Sequence, residues 1–241
     1  MEYEPPVTPE IKQAYENQMA GVFRWKEAKF SSVKPETNKD HMDASKLLHK
    51  RNKVKYPNLT SGLSDHTVFG MIYVHDGGEL ISGDLEHDRV DYNELYKKWK
   101  RKEHLGGIIL ISKYIEDPEE REKVKELYNR ATKKALDDPE ALYHDVLDKT
   151  QAIQFGGKYV FPGSRLNLEE QKEKLEFCTD LLLKSAVHLQ KLLSEKGKAE
   201  LKEMILSDLA VLGATEYSDE LVAESKKRID EVLILPQAIA T

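Results

Sequence analysis

Thr67-Val68-Phe69-Gly70-Met71-Ile72-Tyr73-Val74, followed by His75-Asp76-Gly77-Gly78 and the shorter apolar piece Glu79-Leu80-Ile81-Ser82, decides the fold class. The first run is rich in β-branched and aromatic residues, which suit a half-buried pleated surface. An Asp-Gly pair between two such runs is a hairpin signal, because glycine supplies the positive φ that a tight turn demands. The expectation is a small β-hairpin near residues 67–83. Ile108–Ile111, after Gly106-Gly107, reads as a third strand or as buried helix; four apolar residues cannot separate the two. Phe155–Gly163 reads as a smaller hairpin or an ordered loop.

Away from this stretch, helix starts abound. Thr8-Pro9-Glu10 places a cap before a first-turn proline, opening a helix that runs to about Phe30. Asp117-Pro118-Glu119-Glu120 adds a capping-box acid, and Asp138-Pro139-Glu140 repeats the device. Two consecutive helices follow, from Pro118 to Leu136 and from Pro139 to about Ile153. After Asn167 the apolar residues Leu175, Cys178, Leu182, Ala186, Leu189 and Leu193 recur every three or four positions. Leu201, Met204, Ile205, Leu209 and Leu212 continue the period up to Gly213. A third helix, capped by Ser218, turns Val222, Ile229, Val232 and Leu233 inward. The fold class expected is mainly α with a small β element (α+β). A mixed N-terminal region, 1–163, precedes a C-terminal amphipathic helical bundle, 164–241.

Composition narrows the functional classes. With 241 residues, 39% of them hydrophobic, the chain can bury a core, which excludes wholesale disorder. Its single cysteine, Cys178, excludes a disulfide scaffold. The N-terminus is acidic where a signal peptide is basic, and no apolar run approaches 18 residues. The expectation is therefore an intracellular, cytoplasmic chain with no membrane partner. A net charge of −6 argues against a polycationic nucleic-acid binder. The charge is nevertheless uneven. Five bases and one acid lie between His41 and Thr60, whereas Glu116–Asp145 holds ten acids and six bases. Such segregation suits a partner or a sister subunit.

Tyr92–Lys102 interleaves aromatics with bases, the composition used by single-stranded nucleic-acid grooves. On a helix the aromatics form an inner stripe and the bases a wet back. A polyanion-contacting face would be built from Lys97, Lys98 and Arg101, together with Lys50 and Arg51. Leu181, Leu182 and Leu183, with the tail from Ile234, offer apolar surface to a partner. No phosphate loop, nucleophile elbow or His-Glu-x-x-His motif occurs. The leading functional expectation is thus non-enzymatic: a subunit or adaptor of a larger assembly, without cofactor, contacting nucleic acid through a basic helix face.

The alternative rests on five adjacent acid–imidazole pairs: Asp40-His41, Asp65-His66, His75-Asp76, His87-Asp88 and His144-Asp145. Imidazole and carboxylate both ligate divalent metals, so clustered His and Asp are the material of a hydrolytic metal site. The metal-ligand candidates are His66, His75, His87, His104, His144 and Asp145. Ala141-Leu-Tyr-His144-Asp145, inside an expected helix, resembles HD-type phosphohydrolases, in which an apolar run precedes the His-Asp doublet. The resemblance implies a divalent-metal phosphohydrolase using His144 and Asp145. It also implies an earlier histidine, such as His104, and a later aspartate, such as Asp180 or Asp208.

Overall fold

The computed structural model describes residues 3–22, 36–82, 94–155, 167–210 and 219–233. It is mostly helical in these segments, and no strand forms at residues 67–82. The chain divides into two units. The first comprises Met1–Ala28, Pro35–Lys46 and Ser64–Ala135. The second comprises Lys29–Lys34, Leu47–Leu63 and Leu136–Thr241.

The first unit holds α1 (Pro9–Met19) and the opening of α2 (Asn38–Lys55). It also holds α3 (Asp65–Val74), the four-residue α4 (Glu79–Ser82), α5 (Glu94–Tyr114) and α6 (Pro118–Lys133). Thr8 caps α1 by accepting the Ile11 N–H, and Asp117 caps α6 by accepting that of Glu120, both as expected from sequence. Lys134, left-handed at φ 52°, ends α6. α3 packs on α6, α4 on α5, and α5 on α6. α1 ends at Met19, and the rest of the helix expected up to Phe30 falls largely outside the described residues.

The expected hairpin is replaced by α3, α4 and the turn joining them. Ser64 starts α3 by accepting the Thr67 N–H at 3.3 Å, and every residue from Val68 to Val74 is buried. That explains the misreading, because a helix buried on all sides carries no polar stripe and hence no 3.6-residue signal. The β-branched residues cost a helix at most about 0.7 kcal/mol each. Burying a side chain such as Met71 or Ile72 contributes about 1.5–3 kcal/mol. Burial wins.

The glycines depart from the hairpin expectation for a related reason. Neither Gly77 nor Gly78 has positive φ, so neither makes a hairpin turn. Gly78 is glycine because a Cβ there would stand 2.1 Å from the Glu103 carbonyl oxygen of α5. Gly107 likewise lies inside α5, where a Cβ would meet the Tyr128 ring at 2.2 Å. Ile108–Ile111 is therefore helix, packed through glycines against α4 and α6. The second expected hairpin, from Phe155, lies almost wholly outside the described residues.

The second unit holds the rest of α2, from Leu47, with α7 (Pro139–Phe155), α8 (Leu168–Leu192), α9 (Glu195–Ala210) and α10 (Asp219–Val232). Asn167 and Glu170 form a reciprocal capping box at the start of α8. Of the expected stripe Leu175, Leu182, Ala186 and Leu189 are buried while Cys178 and Leu193 are half-buried; Leu201, Met204, Ile205 and Leu209 of α9 are buried too. α7 packs on α8 and α9, and α10 closes over α8 and α9. Val232, expected to face inward, is 38% exposed, while Ile229 and Leu233 are buried. Leu183 is buried as well, so the bundle itself covers that apolar side chain. Leu212, the side chain of Val222 and the tail from Ile234 lie outside what is described.

Candidate metal centre

The first unit brings two polar faces together. One belongs to the opening turn of α2, begun by a reciprocal pair: Thr37 Oγ1 accepts the Asp40 N–H at 3.1 Å, and the Asp40 carboxylate accepts the Thr37 N–H at 3.1 Å. This helix start places Asn38 and His41, three residues apart, on one face, and both are fully buried. The other face is the turn leaving α3, where His75, Asp76 and Glu79 are each at most 9% exposed.

His75 Nδ1 lies 3.0 Å from the Ile72 carbonyl oxygen, which can only accept, so Nδ1 carries the proton and donates it. Nε2 is then the ring nitrogen that can offer a lone pair to a cation. A backbone carbonyl orienting the far nitrogen is how metal-ligating histidines are commonly held. That Nε2 stands 3.2 Å from Asp76 Oδ1, while His41 Nε2 stands 4.0 Å from Asp76 Oδ2. The two imidazole rings lie 5.5 Å apart at 56°, with donor atoms within 4.8 Å of each other. Ligands about 2.1 Å from one ion can be no more than about 4.2 Å apart, a limit that both His–Asp distances meet. Two nitrogens and a carboxylate form a donor set suited to a divalent transition metal, with coordination positions left for water or substrate.

One helical turn along from this set, the Asn38 side-chain amide donates to Glu79 Oε2 at 2.7 Å. The contacts pair 41 with 76 and 38 with 79, so the two faces stay in register. The turn itself is held from behind. Tyr15 donates its hydroxyl to the Tyr73 carbonyl at 3.0 Å, and Tyr128 donates to the Glu103 carbonyl at 3.2 Å. Burial pushes the Tyr15 phenol well above its ordinary range, with Tyr73 and Asp76 adding to the shift, so it remains a donor.

The other candidates lie elsewhere. His66 is exposed, its ring 5.1 Å from that of Tyr3. His104 stacks on Tyr128 at 5.4 Å and pairs with Thr132 Oγ1; desolvation, aided by Lys133, holds its pKa below the ordinary value. His87 lies outside the described residues. His144 and Asp145 are buried in α7 of the second unit. There Asp145 accepts from Ser185 and faces Lys149 at 3.8 Å. Asp180 binds Arg228 at 2.6 Å.

Of the basic candidates, Arg51 makes a two-pronged bond to Asp208 at 2.7 and 2.8 Å, and Lys97 pairs with Glu94 at 2.9 Å. Lys50, Lys98 and Arg101 are exposed. Among the described residues no helix is long and apolar enough to cross a membrane.

The reading of this chain as a non-catalytic subunit or adaptor is corrected by the buried His41, His75 and Asp76 side chains, which meet as a metal-type donor set. Burying imidazoles and a carboxylate together is costly unless they are paired or coordinate a metal. Sequence reasoning counted the pairs Asp40-His41 and His75-Asp76, and named His75 as a candidate ligand. It missed His41, Asp76, Glu79 and Asn38 as members of one site. The signal was present: Thr67–Val74 is an apolar run directly before a His-Asp doublet, with His41 as the earlier histidine. Reading that run as a strand concealed it.

No protein-family model matches the chain, and no curated protein does. One solved structure, described as a predicted metal-dependent phosphohydrolase from Magnetospirillum magnetotacticum MS-1, is similar at 13% identity. It aligns over 93% of this chain and 94% of that one with a TM-score of 0.45. At that level the likeness establishes neither fold nor chemistry, and both rest on the residues above.

Proposed function

We propose that this protein is a divalent-metal-dependent phosphohydrolase whose metal is held by His41, His75 and Asp76. The observation that carries the proposal is the convergence of two buried imidazoles on one buried carboxylate, with His75 Nδ1 donating to the Ile72 carbonyl. The substrate class comes from the resemblance to HD-type phosphohydrolases, now carried by the apolar run and doublet ending α3 instead of by His144-Asp145. When bound, the metal polarises a phosphoryl oxygen and acidifies a water. His41 and His75 hold it as neutral donors and Asp76 offsets its charge. Glu79 is the buried carboxylate placed one turn away, where it can take the proton of the attacking water.

The test is calorimetric titration of the full chain with Co2+ and Mn2+, followed by hydrolysis of p-nitrophenyl phosphate with each metal. Wild type is expected to bind one equivalent and to hydrolyse the ester only when metal is present. Asp76→Asn should weaken binding by at least about 100-fold, the upper range for a second-sphere change and hence a floor for a ligand. A wild-type chain that binds no metal, or an Asp76→Asn variant that binds as tightly, would overturn the proposal.

A further inference from the structure

We infer that Asn38 is a positioning residue for the Glu79 carboxylate, holding it in register with the His41, His75 and Asp76 donors. This inference rests on the metal-site reading above and adds to it a role for a neutral side chain that can neither ligate well nor titrate.

The argument begins with spacing. Asn38 and His41 are three apart on α2; Asp76 and Glu79 are three apart across the turn into α4. His41 faces Asp76 and Asn38 faces Glu79, so a single approach of α2 to the turn sets both contacts. The distance from one pair to the other is therefore about one helical turn, ~5 Å, the separation between a metal donor and a group serving a water on that metal. Asn38 is 0% exposed and Glu79 is 7% exposed, so the carboxylate is withdrawn from bulk water and takes its direction from protein donors.

The residue type is informative. An asparagine amide donates to a carboxylate without neutralising it, whereas a lysine or arginine would fix it as an ion pair and oppose its taking a proton. An aspartate in its place would repel it. The backbone of Glu79 is fixed separately: its N–H donates to the Asp76 carbonyl at 3.0 Å, and Gly78 lies against the Glu103 carbonyl of α5. Asn38 thus acts on the direction of the carboxylate, while the fold fixes where the residue sits. A simple tie between α2 and α4 would use the same hydrogen bond, and that reading predicts a different outcome for a swap of the two polar groups.

The experiment compares wild type, Asn38→Ala, Glu79→Gln and the double variant Asn38→Asp/Glu79→Gln. Each is assayed for Co2+ affinity and visible absorption, melting temperature, and kcat and KM on p-nitrophenyl phosphate. Asn38→Ala should lower kcat about 10- to 100-fold, the range for a group orienting an active residue, with KM and the Co2+ spectrum unchanged. The swap restores a donor–acceptor pair, so its melting temperature should return toward wild type while kcat stays at the Glu79→Gln level. If Asn38→Ala fails to fold, the swap alone carries the test. A wild-type kcat in Asn38→Ala, or a swap that recovers kcat together with stability, overturns the positioning role. Failure of wild type to bind Co2+ defeats the metal reading and the inference with it, a result distinct from intact metal binding with an indifferent Asn38.

Discussion

Among the described residues two His-Asp doublets are buried, and they are built differently. His144-Asp145 lies within a long helix of the second unit, with the Asp145 carboxylate engaged by Ser185 and faced by Lys149. His75-Asp76 lies just beyond the end of α3, where the backbone turns away. Its imidazole is oriented by a carbonyl of its own helix, and both carboxylate oxygens face ring nitrogens. The carboxylate of the helical doublet is met by a hydroxyl and an ammonium. The doublet at the helix end faces imidazoles, whose ring nitrogens are of the donor type that divalent cations take. The same dipeptide therefore supports different chemistry according to what the tertiary fold sets against it.

The largest expected effect tests that contrast directly. His75→Ala should cost at least about 100-fold in Co2+ affinity by calorimetry, while His144→Ala should change it by no more than about twofold. Equal losses would erase the distinction between the doublets. Next is the packing that aims the turn: Gly78→Ala drives a Cβ into the Glu103 carbonyl and should cost ~3 kcal/mol in urea denaturation, the upper end for overpacking. An unchanged midpoint would show that the α4–α5 approach is not a constraint.

The second unit depends instead on buried charge. Arg51→Leu strands Asp208, whose side chain is 5% exposed, and should cost about 2 kcal/mol in the same assay. That is below the usual figure for a fully buried pair, because Arg51 is 38% exposed and partly screened. Its Co2+ affinity should not move. The smallest effect is a pH slope. His104 has a lowered pKa in the folded chain, so between that value and the unfolded value near 6.5 the unfolded state binds more protons. Stability should fall as pH drops below about 6.5, and His104→Gln should flatten that slope in melts taken across the window.

Local chemistry was enough for much of the scaffold. Thr8, Asp117 and Asn167 cap helices because a side-chain acceptor beside a free N–H needs nothing distant. The stripe from Leu175 to Leu189 names its own buried face because α8 has a wet side to contrast with it. Residues 65–78 lack that contrast. With Val68 to Val74 buried all round, composition pointed to a strand, and the helical state follows from what α6 and its neighbours exclude from water.

The candidate site divides the same way. Sequence alone named His75 among six candidate ligands and showed that imidazoles and acids recur in adjacent pairs. Only the tertiary structure decided which pair meets a second histidine, because His41 reaches Asp76 across a helix–helix approach that no local spacing encodes. Side-chain caps and periodic faces are short-range consequences of backbone geometry. A metal-binding set is a long-range coincidence, and packing alone determines which residues meet.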